Sequence, residues 1–423
     1  MIRSPDVRYL KVTLLIGSLV SLLVVGLAQA PFFEEVDAAL GALLGVPASY
    51  APARFVQLPV VVLLAFGIAW TTVDISRLSL KVLVAAAALA QVLAASWVAS
   101  LFHHFFSPWP GALAILFSFG AGLFYARSGA GRRKRVVETM LADRISPRTF
   151  RTLVDSDVSL RFEGEIREAS VLVCEIFNHE ELAEGLPVPE HVALHNSFLR
   201  NASEFLVERG GYLDECGGET LRVLFGTPLP DKQHAAAACR AALALVERLD
   251  EVNRECEKVW KHTFDFRIGI NSGEIVVATY ASKRLQTLSV AGEPVEFARR
   301  LCAANTIYGS RVLLGYRTFH LAESAIEVRP IELIQRYEDE WSREELYELL
   351  GLHNALSPED LERRDAFWKG IVYYREQRWD EALGHFHSAR LDGGADAPVE
   401  FYIRRIEQLR EGVPALHWSA PRI

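Results

Sequence analysis

The stretch Gly210-Gly-Tyr-Leu-Asp-Glu-Cys-Gly-Gly-Glu-Thr-Leu-Arg-Val-Leu-Phe-Gly226 decides the fold of the second half of the chain. Gly210 and Gly211 end a segment of helical periodicity, because glycine is a poor helix former and a common helix terminator. Residues Tyr212–Phe225 then form two short runs of strand type on either side of Gly217-Gly218. We therefore predict a β-hairpin here.

Further strands and helices alternate on both sides of this hairpin. An apolar, β-branched run predicts a buried strand at Ala169–Ile176, and periodicity predicts helices at Pro189–Arg209, Ala235–Val252 and Val295–Ala304. Shorter apolar runs predict strands at Phe264–Ile270, Glu274–Thr279 and Arg311–Leu314. A β-α-β-β-α-β order of this kind indicates a ferredoxin-like α+β domain.

The first 127 residues differ in composition from the rest. Half of the 423 residues are apolar, and almost all the long hydrophobic runs lie before residue 128. The net charge of −8 argues against a nucleic-acid partner, which would need a basic face. All five cysteines lie in the second part, in odd number and without metal-ligand spacing, so we expect buried free thiols in a reducing compartment.

Four apolar segments are each close to the ~20 residues that cross a bilayer. They are Val12–Ala30, Phe55–Val73, Val82–Leu101 and Trp109–Tyr125, and together they predict an all-α bundle that anchors the chain in the lipid bilayer. The first alone looks like a signal peptide, but three more follow it, which favours a retained anchor. Lys and Arg cluster before the first span, between the second and third, and after the fourth, so both termini are expected in the cytoplasm. A passive anchor and a sensor of lipid or of a membrane partner both remain open.

Residues 128–160 connect the membrane part to the soluble part. They begin with Gly-Ala-Gly-Arg-Arg-Lys-Arg at 129–135 and continue with apolar residues at helix spacing, until Ile145-Ser146-Pro147 breaks the pattern. Such a helix can be a spacer or can pass movement from the bundle to the next domain.

Residues 160–350 resemble the catalytic domain of class III adenylate and guanylate cyclases. The resemblance rests, in chain order, on Gly164–Glu168, Val171–Ile176, Gly210–Gly226, Ile268–Glu274 and Gly292–Leu301. It implies a nucleoside triphosphate as ligand and a homodimer or heterodimer formed through this domain, with each site shared between two protomers.

The resemblance implies metal ligands at Glu175 and Glu219, where the family has two aspartates that hold Mg²⁺ or Mn²⁺. Glutamate is also a hard-oxygen ligand, but its extra methylene moves the carboxylate by roughly 1–1.5 Å. Because catalysis is sensitive to displacements of about 1 Å, we expect metal binding to survive better than turnover.

The purine-binding positions of the family correspond to Glu215 and Thr287. A glutamate accepts hydrogen bonds from guanine N1–H and the 2-amino group, and a hydroxyl donates to O6, so this pair resembles a guanylate cyclase more than an adenylate cyclase. The alternative is a surface glutamate and a strand threonine that bind no ligand.

The catalytic positions that stabilise the transition state correspond to Glu296, where the family has asparagine, and Arg300, which is retained. The family's triphosphate-binding lysine has no counterpart in residues 336–340, where Arg336 is the nearest basic residue. Each added negative charge within ~4–6 Å of a polyphosphate is unfavourable by about 1–4 kcal/mol. The comparison therefore indicates a cleft too negative to hold a nucleoside triphosphate well.

Residues 353–423 are predicted to form two or three helices, with one tetratricopeptide-like unit around Arg378-Trp379. A single unit cannot bury its apolar face alone, so packing on the cyclase-like domain or on its twin is expected, and a free partner-binding groove is the alternative. Tails with similar motifs follow cyclase domains in several bacterial proteins; here the motifs are Asp396–Pro398, Tyr402–Arg405 and Pro414–Trp418. The expected domains are 1–127 (membrane anchor), 128–160 (connector), 161–352 (cyclase-like domain) and 353–423 (helical tail), in a bacterial inner membrane.

Three functions remain open. The first is a degenerate cyclase that dimerises and acts as a signalling or regulatory subunit, alone or with a more complete partner. The second is an active cyclase that makes cyclic GMP, or cyclic AMP, with Mg²⁺ or Mn²⁺. The third is a structural subunit of a membrane assembly.

Overall fold

The computed structural model describes residues 7–43, 54–75, 77–102, 104–128, 136–138, 140–141, 143–156, 163–281, 286–335, 343–390 and 396–411. The chain divides into two compact units, Met1–Glu138 and Thr139–Ile423. Three stretches that the sequence singles out lie outside the described residues: the basic run 129–135, the run 336–340 with Arg336, and Pro414–Trp418.

The described residues of the first unit are mainly helical. In chain order the helices are α1 (Val7–Leu27), α2 (Pro31–Leu43), α3 (Arg54–Asp74), α4 (Leu78–Leu101) and α5 (Pro108–Arg127). All but α2 are long and apolar enough to cross a bilayer, and they agree with the four predicted spans. The sequence analysis did not predict α2, which is shorter than the spans and carries acidic residues such as Glu34 and Asp37.

Small residues bring the helices of this unit close together. Val24, Ala65 and Ala114 are fully buried in the core between α1, α3 and α5. A Cβ atom at Gly17 would lie 2.5 Å from the ring of Phe66, so only glycine allows this approach of α1 to α3. Such packing is the usual means of association between membrane helices, where lipid removes the hydrophobic driving force.

The second unit is built on a mixed sheet. Its strands are β1 (Glu163–Ile176), β2 (Tyr212–Gly217), β3 (Thr220–Phe225), β4 (Phe266–Ala281), β5 (Gln286–Ala291), β6 (Val312–Leu314), β7 (Ile326–Gln335) and β8 (Arg343–Leu352). The strand order is β2-β3-β1-β4-β6-β8-β7, and β5 pairs with β4. Strands β2, β3, β1 and β4, with the helices between them, form the predicted β-α-β-β-α-β arrangement.

A single strand replaces two predicted ones. The sequence predicts separate strands at Phe264–Ile270 and Glu274–Thr279, but β4 is continuous from Phe266 to Ala281. It pairs with β1 along nearly its whole length, from Phe266 opposite Ile176 to Ala278 opposite Glu163. Pairing with a long neighbour therefore overrides the weak strand propensity of the intervening polar residues.

Helices cover both faces of this sheet. After the short α6 (Pro147–Asp155) they are α7 (His179–Gly185), α8 (Val188–Glu208), α9 (His234–Trp260), α10 (Glu293–Tyr308) and α11 (Tyr316–Ala322). Residues of α8 and α9 pack with Ile268 and Ile270 in one core. Gly269 points to the other face, where a Cβ atom would lie 2.2 Å from the carbonyl oxygen of Ala298 in α10. Helix α10 therefore packs directly against β4 on the face opposite α8 and α9.

In its described residues, 358–390 and 396–411, the tail forms three helices, α12 (Pro358–Arg375), α13 (Trp379–Ser388) and α14 (Ala397–Arg410). Their buried residues, such as Phe386 and Tyr402, share one core with Phe297 and Leu301 of α10. In the structure the tail thus packs on the cyclase-like part of its own chain. A tetratricopeptide-like identity for α12 and α13 stays a prediction.

An ion-pair cluster holds α14 to the sheet. The guanidinium of Arg329 in β7 donates to both carboxylate oxygens of Asp396, at 2.6 and 2.8 Å, and to Glu348 of β8 at 2.7 Å. The carboxylate of Asp396 also accepts from the Val399 N–H and so caps the start of α14. All three charged side chains are at most 13% exposed, so water screens them little.

The five cysteines are free thiols. Four are buried as expected, but Cys216 is exposed. It lies at the end of β2, an edge strand whose last residues are all exposed.

Candidate functional site

A cleft of about 370 Å³ opens on the α10 face of the sheet. Its lining residues are Val173, Glu175, Glu215, Thr220, Arg222, Val295, Glu296 and Arg299. Those on β1 and β3 alternate with core residues, because successive side chains of a strand point to opposite faces. The pairing of β1 with β3 places Glu175 opposite Thr220 and Val173 opposite Arg222.

Glu175 lies near the end of β1 and is half-buried. Thr220 Oγ1 donates a hydrogen bond to its Oε1 at 3.2 Å. Burial raises the pKa of the Glu175 carboxyl, and the nearby Glu215 and Glu219 add to the rise, whereas Thr220 and Arg299 oppose it. This carboxylate therefore has two further carboxylates and one guanidinium within electrostatic reach.

Glu219 follows the turn of the hairpin, where Gly218 has a φ of 58° in the left-handed region. The backbone carbonyl of Glu219 accepts from the Ile176 N–H at 3.1 Å, which holds the turn against the end of β1. Its Oε1 lies 4.0 Å from Nε2 of His179. The two predicted metal ligands, Glu175 and Glu219, are thus neighbours.

Arg222 binds two carboxylates of the adjacent strand. Its Nε lies 2.6 Å from Oδ2 of Asp214, and its Nη1 lies 2.9 Å from Oε2 of Glu215. A register shift between Leu213 and Glu215 makes Asp214 an extra residue in β2, which lets both carboxylates reach one guanidinium. The Asp214 side chain is 3% exposed. The predicted purine-binding residue Glu215 is therefore already paired within its own hairpin.

Helix α10 brings Glu296 and Arg299 to the cleft. They form an exposed pair one turn apart, with Nη2 of Arg299 3.4 Å from Oε2 of Glu296. The helix begins at Glu293-Pro294 after Gly292, whose φ of 137° suits glycine. Arg300 is exposed and is not among the residues that line the cleft, since consecutive helix residues point about 100° apart.

Thr287, the second predicted purine-binding residue, lies in β5, where its backbone pairs with Tyr280 of β4. Its side chain is outside the described part of the chain. The structure therefore brings Glu175, Glu215 and Glu296 into one cleft with Glu219 beside it. It does not bring Arg300 to that cleft within one chain.

Two basic residues of the cleft, Arg222 and Arg299, were not predicted from the sequence. A signal for each was present, because Arg222 is two residues from Thr220 on a strand and Arg299 is three residues from Glu296 on a helix. Their guanidiniums offset part of the negative charge of Glu175, Glu215 and Glu296. The cleft therefore contains three carboxylates and two guanidiniums, so it is less negative than the family positions alone predict.

Few side chains near the cleft could bind a divalent cation. Among the described residues, no three His, Cys, Asp or Glu side chains form a group that could hold a metal ion. Glu175 and Glu219 supply oxygen atoms of the kind that Mg²⁺ and Mn²⁺ prefer, but Mg²⁺ needs a nearly ideal octahedral set. With Thr220 bonded to Glu175 and Arg299 close by, these two carboxylates do not fit a metal site on their own.

Comparison with known proteins assigns the domain that carries this cleft. The family model described as the adenylate and guanylate cyclase catalytic domain matches residues 163–324, from β1 to the end of α11. All the lining residues of the cleft fall within the match. Residues 163–324 therefore form a domain of the adenylate and guanylate cyclase catalytic type.

Among similar proteins, adenylate cyclase 1 of Rhizobium meliloti is 26% identical over 191 residues, which are 45% of this chain and 29% of that protein. The chain thus matches about three tenths of the length of this relative. The crystal structure of the guanylyl cyclase Cya2 has a TM-score of 0.42 at 23% identity, covering 46% of this chain and 98% of that one. The adenylyl cyclase CyaB of P. aeruginosa has a TM-score of 0.42 at 22% identity, covering 46% and 100%.

Proposed function

We propose that this protein is a membrane-bound class III cyclase homologue whose cyclase domain has lost efficient turnover and acts as a dimeric signalling or regulatory subunit. One observation carries the proposal. Arg222 pairs with Glu215 at 2.9 Å, and so occupies the carboxylate that the family resemblance assigns to the purine. A base could bind Glu215 only by displacing a guanidinium from a charge-assisted hydrogen bond, which is among the stronger contacts in proteins.

The other altered positions support the same proposal. Glu296 replaces a neutral asparagine of the family and places a carboxylate in the cleft. Glu175 and Glu219 are each one methylene longer than the aspartates they replace. Because Mg²⁺ tolerates poor geometry badly, these changes disfavour a correctly held metal–triphosphate complex.

The membrane unit and the family suggest where the subunit acts. Four helices suit a lipid bilayer, and the positive charges around them favour cytoplasmic termini in a bacterial inner membrane. Members of this family work as dimers, so the partner of the cyclase domain is a second copy or a related, more complete chain. In a mixed dimer, this chain would contribute its cleft residues to a site completed by the partner.

The direct test is an assay for cyclic nucleotides. The full-length protein in mild detergent is incubated with Mn²⁺ and either ATP or GTP, and the products are quantified by mass spectrometry. We expect no cyclic nucleotide above the level of the matched Glu219→Ala variant.

Turnover that Glu219→Ala abolishes would overturn the proposal and support an active enzyme, and the nucleotide used would show its base preference. Native mass spectrometry of the same sample separates the remaining cases. A homodimer or a heterodimer agrees with a signalling subunit, whereas a stoichiometric assembly with unrelated membrane proteins would favour a structural role.

A further inference from the structure

A series of polar contacts connects residues 143–146, the end of the connector before α6, with the cleft. This segment lies against β2, the edge strand of the sheet. The Leu213 N–H donates to the Arg144 carbonyl oxygen at 2.9 Å, and Arg144 Nη1 donates to the Asp214 carbonyl oxygen at 2.7 Å. Edge strands offer unpaired backbone groups, so they can hold an added segment in a defined register.

Asp214 takes part in contacts on two sides. Its backbone accepts from Arg144, and its carboxylate accepts from Arg222 Nε at 2.6 Å. Burial raises the pKa of the Asp214 carboxyl, and Arg222 and Arg144 both oppose the rise, so both guanidiniums act on the same buried charge. With a side chain only 3% exposed, Asp214 has little water with which to replace either partner.

Arg222 completes the connection, because it also binds Glu215 at 2.9 Å and lines the cleft. Between Arg144 and the cleft there is thus an unbroken series of contacts shorter than 3 Å. Arg144 itself stands close to the beginning of the second unit, which starts at Thr139 directly after the membrane unit.

We propose that Arg144, Asp214 and Arg222 form a relay through which the connector controls Arg222, and with it the availability of Glu215 in the cleft. The inference rests on the proposed function, since it names the regulation of the same cleft. A shift of the connector that removes Arg144 from Asp214 weakens the anchor of Arg222. Arg222 then either releases the Glu215 carboxylate or binds it more closely. Either change alters whether this carboxylate is free to bind a ligand in the cleft.

Hydrogen–deuterium exchange of the full-length protein in detergent tests the relay without any need for turnover. The peptides of interest cover residues 215–225, and peptides from β7 and β8 serve as an internal reference. Arg144→Ala removes the first contact. The matched control is Arg148→Ala, which removes the same charge from an exposed position in the first turn of α6.

We expect Arg144→Ala to raise exchange in residues 215–225 by about twofold or more, with no change in β7 and β8. Asp214→Asn is expected to give the same pattern, and the double variant no more than either single one, because both act through one buried group. Arg148→Ala should match the unchanged protein.

Arg144→Lys covers the case in which Arg144→Ala does not fold, because lysine keeps the charge and one hydrogen bond. It should raise exchange in residues 215–225 by less than Arg144→Ala does. Exchange changes confined to residues 143–156 and Leu213, or additive effects of Arg144→Ala and Asp214→Asn, would show that no relay exists. Because exchange is independent of catalysis, such a result leaves the proposed function standing, and detection of cyclic nucleotide would leave the relay standing.

Discussion

Arg222 and Glu215 face each other across the β2–β3 hairpin, and their side chains join at 2.9 Å. The same guanidinium holds Asp214 at 2.6 Å, so the hairpin neutralises its own carboxylates. This pairing offsets part of the negative charge that the three glutamates bring to the cleft. It also means that a ligand must compete with contacts already present.

Replacing Glu296 with asparagine should make the cleft more favourable for an anion. The substitution removes a negative charge and frees Arg299, its partner at 3.4 Å. We expect the affinity for a fluorescent GTP analogue with Mn²⁺ to rise roughly tenfold, an effect that falls at high salt. Glu293→Gln, in the first turn of the same helix but outside the cleft lining, is the control and should change affinity less than twofold. Equal effects of both variants would contradict a local role for Glu296.

Arg329→Met should strongly destabilise the second unit. The variant leaves the carboxylates of Asp396 and Glu348 buried without their guanidinium, and the loss of one partner from a buried ion pair is typically worth about 3–5 kcal/mol. The measurement is the midpoint of urea unfolding in detergent, followed by circular dichroism. Arg378→Met is the control, because Arg378 is exposed and pairs only at the surface. A midpoint for Arg329→Met equal to that of this control would contradict the role of the cluster.

Gly309→Ala should disturb the junction between α10 and α14. Gly309 has a φ of 71°, and a Cβ atom there would lie 2.4 Å from the Cβ of Ala397. The left-handed backbone is unfavourable for alanine by about 1–2 kcal/mol, and the clash with α14 adds to it. Gly218→Ala separates the two effects, since Gly218 has a φ of 58° but nothing within 4 Å of a Cβ. We expect the lower melting temperature for Gly309→Ala, and the reverse order would rule out the contact as its cause.

Glu175→Gln should change how stability depends on pH. Because burial raises the pKa of Glu175, the folded protein keeps this proton at pH values where the unfolded chain, with a pKa near 4.5, has lost it. The stability that the neutral carboxyl contributes is therefore complete below 4.5 and is lost as the pH rises through the folded pKa. Glutamine does not titrate, so the variant should gain stability relative to the parent as the pH rises above 4.5. A difference in unfolding free energy that is constant from pH 4 to pH 7 would show that Glu175 is not perturbed.

The four long apolar helices and the β-α-β-β-α-β core could be predicted because each leaves a clear local signal in the sequence. The four spans are long and uniformly apolar, and the hairpin Tyr212–Phe225 is bounded by glycines. The continuous strand β4 could not be predicted, because its extent depends on a neighbouring strand rather than on local composition. For β4 that neighbour is β1, which pairs with it across the polar residues Asn271 and Ser272.

The candidate site shows the same limit at the level of single residues. Family positions pointed to Glu175, Glu215 and Glu296, which the fold does bring together. Arg222 and Arg299 were not predicted because the family resemblance assigns them no role. The direction in which their side chains point also depends on strand register and helix phase. Whether the site residues act as the resemblance implies stays a prediction, which the assays above address.

The core shared by α10 and α14 limits how the cyclase domain can be transferred to a related protein. Phe297 and Leu301 of α10 are buried partly by Tyr402 and Phe386 of the tail. A cyclase domain grafted without its own tail would therefore expose a hydrophobic surface to solvent. Chimaeras for testing signal transfer should therefore be joined upstream of Arg144, so that its contacts with β2 and the whole of α14 stay in one piece.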